Sequence, residues 1–153
     1  MQDGIDHAAL VDRWLRQTAG GASAQRRLQL LEGALRALWR RAHGTLGEVT
    51  LGAVTERVLY HAAERFPFLS ALRVEGDGVH LAELEQRPPA VDEATLVDAV
   101  RFVLVEFLSV LGNLTADIMT PALHAELAGV ATVADSNGER PRVNHRGAKE
   151  SAQ

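Results

Sequence analysis

Histidines and carboxylates are the side chains with the widest chemical reach in this sequence, and their spacing limits what they can do. His61 and Glu64 stand three residues apart, so on a helix they share one face. Carboxylate-bridged iron sites in helical bundles use Glu and His at that separation, but in the opposite order, twice over, with further carboxylates from two more helices. Here the spacing occurs once. His124 and Glu126 lie two apart, a separation that points side chains away from each other on a helix. No metal site is therefore expected. His7, His43, His80 and His145 are scattered and have no nearby partners in sequence.

Other catalytic signatures are missing from the sequence. It holds no Gly-x-Ser-x-Gly elbow, no Walker loop and no Gly-x-Gly-x-x-Gly turn. Gly76-Asp77-Gly78 is too short to cradle a phosphate and reads as a tight turn. The absence of cysteine excludes thiol nucleophiles, thiolate ligands and disulfides, and it fits a reducing cytoplasm. The expectation is a protein that is not an enzyme and takes no cofactor.

Arginine is the remaining candidate. All basic residues but Lys149 are Arg, a bias that a GC-rich genome produces by itself. The second predicted helix nevertheless concentrates Arg26, Arg27, Arg36, Arg40 and Arg41 against a single Glu32. The segment 92–127 is the opposite, with Asp92, Glu93, Asp98, Glu106, Asp117 and Glu126 against Arg101. Two solvated faces would explain this. So would complementary docking, within the fold or between copies, or an anion held on the arginines. These five arginines are the candidate contacts for an anion or a partner.

The elements that must position these groups follow from hydrophobic periodicity. Residues 5–18 and about 23–43 read as helices, the second capped by Ser23 and stopped by Gly44. A third helix covers about 51–66, capped by Thr45 or Thr50 and ended by Pro67. The period then becomes alternating. Residues 69–75 and 79–84 flank the turn at 76–78 and predict an antiparallel hairpin. Asp92 caps a long helix over about 93–119, which Gly112-Asn113 kinks or breaks, and Thr120-Pro121 opens a short last helix to about 127. The fold class is mainly α, or α+β: a single helical domain over 1–130, about five helices, with one small hairpin at 69–84 between helices three and four. Residues 131–153 are almost free of apolar side chains and read as a disordered tail.

The long helix is the strongest signal. It is too apolar for an ordinary surface helix and too charged, with Asp98, Arg101, Glu106 and Asp117, to cross a membrane. On a helical wheel Phe102 and Val105 fall within its polar stripe. Burying an aromatic side chain contributes roughly 1.5–3 kcal/mol, so leaving Phe102 in water forfeits a gain. The rest of the chain would cover it, or a second copy would, through Phe102, Val105, Phe107, Leu108 and Leu111. The first residues lack a basic, then apolar, signal sequence. A net charge of -4 disfavours nucleic acid and anionic membrane.

These readings converge on a cytoplasmic, non-catalytic regulatory or adaptor module that acts by protein–protein contact and dimerises through helix 93–119. A ligand sensor with a pocket lined by Trp39, Tyr60 and Phe68 is one alternative. A winged-helix-like DNA binder, with the third helix as reader, is another, although nucleic acid is disfavoured by the charge.

Overall fold

The computed structural model describes residues 6–130 apart from Gly20 and Asp77. The chain runs α1 (His7–Ala19), α2 (Ala24–Leu46), α3 (Glu48–Arg65), a 3-10 turn (Pro67–Ala71), β1 (Arg73–Glu75), β2 (Gly78–His80), α4 (Ala82–Gln86) and α5 (Glu93–Leu114). A last helix, α6, spans residues 120–130. The fold is mainly helical, with one two-stranded antiparallel sheet between the third helix and the long one. No helix among the described residues is long and apolar enough to cross a membrane.

Local chemistry sets most boundaries. The Ser23 hydroxyl accepts the Arg26 N–H at 3.1 Å and the Asp92 carboxylate accepts the Thr95 N–H at 3.1 Å, so both predicted caps form. Asp6 caps α1 in the same way, accepting the Ala9 N–H at 2.9 Å. Gly44 does not stop α2. The helix continues to Leu46 and ends at Gly47, whose φ of 82° suits glycine and whose N–H donates to the His43 carbonyl. Because α3 starts at once with Glu48, Gly47 also occupies its N-cap, and neither Thr45 nor Thr50 caps it.

The hairpin is shorter than its alternating pattern. Only three residues pair on each side, Arg73 with His80, Val74 with Val79 and Glu75 with Gly78. Leu69 and Leu72 sit three apart, as do Leu81 and Leu84. All four are buried: Leu69 lies within the 3-10 turn and Leu84 within α4, while Leu72 and Leu81 flank those elements as caps. Gly78 has a φ of 130°, and a Cβ there would meet the Trp39 ring at 3.6 Å, so the tip of the hairpin lies on α2.

The long helix is central. α5 packs against α1, α2 and α3, and α6 adds Leu123 and Leu127 to the same core. Three helical neighbours from its own chain explain why its apolar residues run so far round it. The helix ends at Leu114 rather than 119. Ala116 and Asp117 take left-handed backbone angles of 52° and 62°, and the Asp117 N–H returns to the Gly112 carbonyl at 2.7 Å. Gly112 is needed for this turn, since a Cβ there would lie 2.7 Å from Asp117 Oδ1.

Candidate functional site

Interface roles for Phe107, Leu108 and Leu111 are not available in this packing. Each is enclosed by the chain's own helices, with Phe107 only 1% exposed. Their apolar surface is removed from water by α1, α2 and α3, so nothing remains for a second copy to cover. Phe102 and Val105 are half-buried and lean on the same core. Phe102 is covered by the end of α3, with the Phe66 ring 6.1 Å away and the Arg65 guanidinium 4.9 Å above its face. The helical wheel put Phe102 among polar neighbours, whereas in the fold it packs against the core. The wheel gave no sign that Phe66 and Arg65 would fold across it.

The five arginines separate into distinct roles. Arg27 is 5% exposed, donates to Glu93 at 2.7 Å and to the Ala22 carbonyl at 3.2 Å, and so ties α2 to the start of α5. Arg41 approaches Glu126 of α6 at 4.0 Å. These pairs are complementary docking of the two charged segments inside the fold. Arg26 is exposed. Arg36 reaches Glu32 at 3.6 Å and, with Arg40, His43 and Trp39, lines a cavity of about 320 Å³.

A groove of about 430 Å³ lies on the other side of Trp39, between α3 and the hairpin. It is lined by Val49, Gly52, Ala53 and Val74 and by Glu48, Glu56 and Glu75, with no cationic side chain among the described residues. A second hollow of about 450 Å³ continues along α3 past Glu56 to Tyr60, Ala63 and Arg73. Val49 is 87% exposed and Tyr60 65%, so the apolar edge of α3 stands in solvent. α3 faces the core with Leu51, Thr55, Val58, Leu59 and Ala62, and presents Val49, Gly52, Ala53, Glu56 and Tyr60 away from it. Trp39 and Tyr60 therefore line neighbouring grooves rather than one pocket. Phe68 is half-buried against the core instead.

Two titratable clusters were not legible in the sequence. His7 and His124, far apart in the chain, meet with Nδ1 and Nε2 3.0 Å apart and rings 5.2 Å edge to face. One ring nitrogen must donate and the other accept, so at least one imidazole lacks its second proton. Burial lowers both pKa values. For His7 the nearby Asp117 and Asp6 oppose the effect, whereas for His124 the charges of His7 and Arg13 add to it. At the hairpin side, Glu85 of α4 lies beside Glu32 of α2, and its Oε2 is buried without a hydrogen-bond partner among the described residues. Burial, then the proximity of Glu32, push the Glu85 carboxyl up to about 7 against the opposing Arg36. Glu32 also accepts the Leu81 N–H at 3.3 Å.

His61 does not combine with Glu64. Its Nδ1 lies 4.0 Å from Glu106 of α5. No group of three or more His, Asp or Glu among the described residues is arranged to hold a metal ion. No protein-family model, curated protein or solved structure matches this chain.

Proposed function

We propose that this chain is a non-catalytic regulatory or adaptor module of the cytoplasm that works by protein–protein contact, with the α3–hairpin face as its contact surface. The observation that carries the reading is the groove beside Trp39, where exposed Val49 and Tyr60 mark an apolar edge rimmed by Glu48, Glu56 and Glu75. Apolar centres with polar rims are the anatomy of binding surfaces. The lack of cysteine suits a reducing compartment. The same carboxylates argue against the winged-helix reading, because the face that would meet DNA phosphates carries negative charge. The cavity at Arg36, Arg40 and His43 favours a second reading, in which the module also takes an anionic ligand.

Affinity capture from the source cells with quantitative mass spectrometry tests the surface. The double variant Val49→Asp, Tyr60→Ala should fold as the wild type does, since Val49 is solvent-exposed in the first turn of α3, where an acid suits the helix dipole. It should lose partners that the wild type retains, whereas Ile118→Ser, an exposed apolar change elsewhere, should keep them. Identical partner sets for wild type and double variant would remove this face from the function.

A further inference from the structure

Trp39 divides two surfaces of opposite charge. On one side stand Arg36, Arg40 and His43 of α2. On the other lies the groove with Glu48, Glu56 and Glu75 and, among the described residues, no cation. The two patches share the buried Trp39, so they adjoin one another. Among the described residues, Arg36 stands 3.6 Å from Glu32 and also acts on Glu85, and His80 stands 4.0 Å from Glu75, both separations too long for a tight hydrogen-bonded ion pair. Arg40 is exposed. A face with a basic half and an acidic half is complementary to itself when rotated by a half turn. That is the condition for a closed two-fold contact, in which each patch of one copy meets the other patch of its partner.

We propose that the groove between α3 and the hairpin is filled by the Arg36–Arg40 face of α2 from a second copy of this chain, so that the protein forms a two-fold dimer centred near Trp39. The inference rests on the reading of this face as a contact surface and names its occupant. The long arginine stems cover Val49, Gly52 and Ala53 while the guanidinium groups reach the carboxylate rim. Apolar floor and charged rim are then satisfied together. Arginine in place of lysine matters here, because a planar fork meets a carboxylate with two hydrogen bonds.

The test is absolute mass by light scattering on the full chain, over a range of concentrations at low and high salt. The wild type should be a dimer at low salt, with association weakening at least about tenfold as salt screens the rim. Arg36→Glu with Arg40→Glu makes both patches acidic, and Glu48→Arg with Glu56→Arg makes both basic. Each variant alone should be monomeric, and an equimolar mixture should form a heterodimer. Circular dichroism checks that both fold. If either does not, Glu48→Gln with Glu56→Gln replaces it and should weaken the dimer by at least about tenfold. A wild type that stays monomeric at all concentrations overturns the inference, as does a reversed variant that dimerises like the wild type. A monomer whose partners are still lost on Val49→Asp, Tyr60→Ala would sink the dimer alone and leave the contact surface standing.

Discussion

α5 and α3 differ in how much of their apolar surface they bury, although α5 leaves its last residue, Leu114, exposed. α5 is the more hydrophobic of the two, and its Val103, Leu104, Phe107, Leu108 and Leu111 are sealed by three neighbouring helices. α3 is more polar, yet it leaves Val49 and Tyr60 in solvent beside a groove. A helix that is apolar nearly all round belongs in the middle of its own domain. α3 instead leaves a few large apolar side chains uncovered among the described residues.

The largest expected effect sharpens that contrast directly. Phe107→Ala should cost about 3–5 kcal/mol in chemical denaturation, the range for emptying an aromatic site in a packed core. Val49→Ala should change stability by no more than about 0.5 kcal/mol, as surface substitutions do. Similar losses at the two positions would mean that α3 is covered within the chain after all.

A smaller effect probes how tightly α5 is enclosed at its end. Gly112→Ala places a methyl 2.7 Å from Asp117 Oδ1, and should cost about 1–3 kcal/mol by overpacking. Asp117→Ala should relieve part of that cost in the double variant, giving a coupling of about 1 kcal/mol between the two sites. Purely additive losses would show that the Asp117 turn does not press on the helix.

The smallest effects lie outside both helices, at the His7–His124 pair and at Glu85, and differ in the sign of their pH dependence. His7 and His124 have lowered pKa values, so the folded state binds fewer protons than the unfolded chain there. Their contribution is present above the ordinary value of about 6.5 and is lost as pH falls through the lowered values. Glu85 is the reverse, raised from 4.5 to about 7. Its contribution is fully present below 4.5 and is lost as pH rises through about 7. His124→Gln should therefore flatten the loss of stability from pH 7 to 5, read from melting temperatures. Glu85→Gln should be more stable than wild type at pH 8, by about 1–2 kcal/mol after allowance for nearby solvent, and close to it at pH 4.5. Parallel curves for wild type and both variants would show that neither cluster titrates with folding.

Elements whose ends are set by adjacent residues were legible in advance. Ser23 and Asp92 cap their helices through bonds three residues away, and Pro67 ends α3 by local sterics. The hairpin turn at 76–78 is equally local. Gly44 misled because a glycine inside a helix costs only about 1 kcal/mol, and α2 runs on to Leu46, which packs partly against the core, before Gly47 ends it. The extended reading of 69–71 and 82–84 failed for a similar reason. Leucines three apart also fit a single helical turn, and the core they meet decides which form is taken.

The sequence by itself determined a mainly helical chain, the position of its hairpin and the existence of one helix that had to be covered, because hydrophobic period and capping act over a few residues. Only the tertiary structure decided what covers that helix. It also decided that Arg27 meets Glu93, that His7 meets His124 across 117 positions, and that Trp39 separates a basic patch from an acidic one. Such contacts depend on which faces of distant helices come to rest together, and no spacing along the chain encodes that.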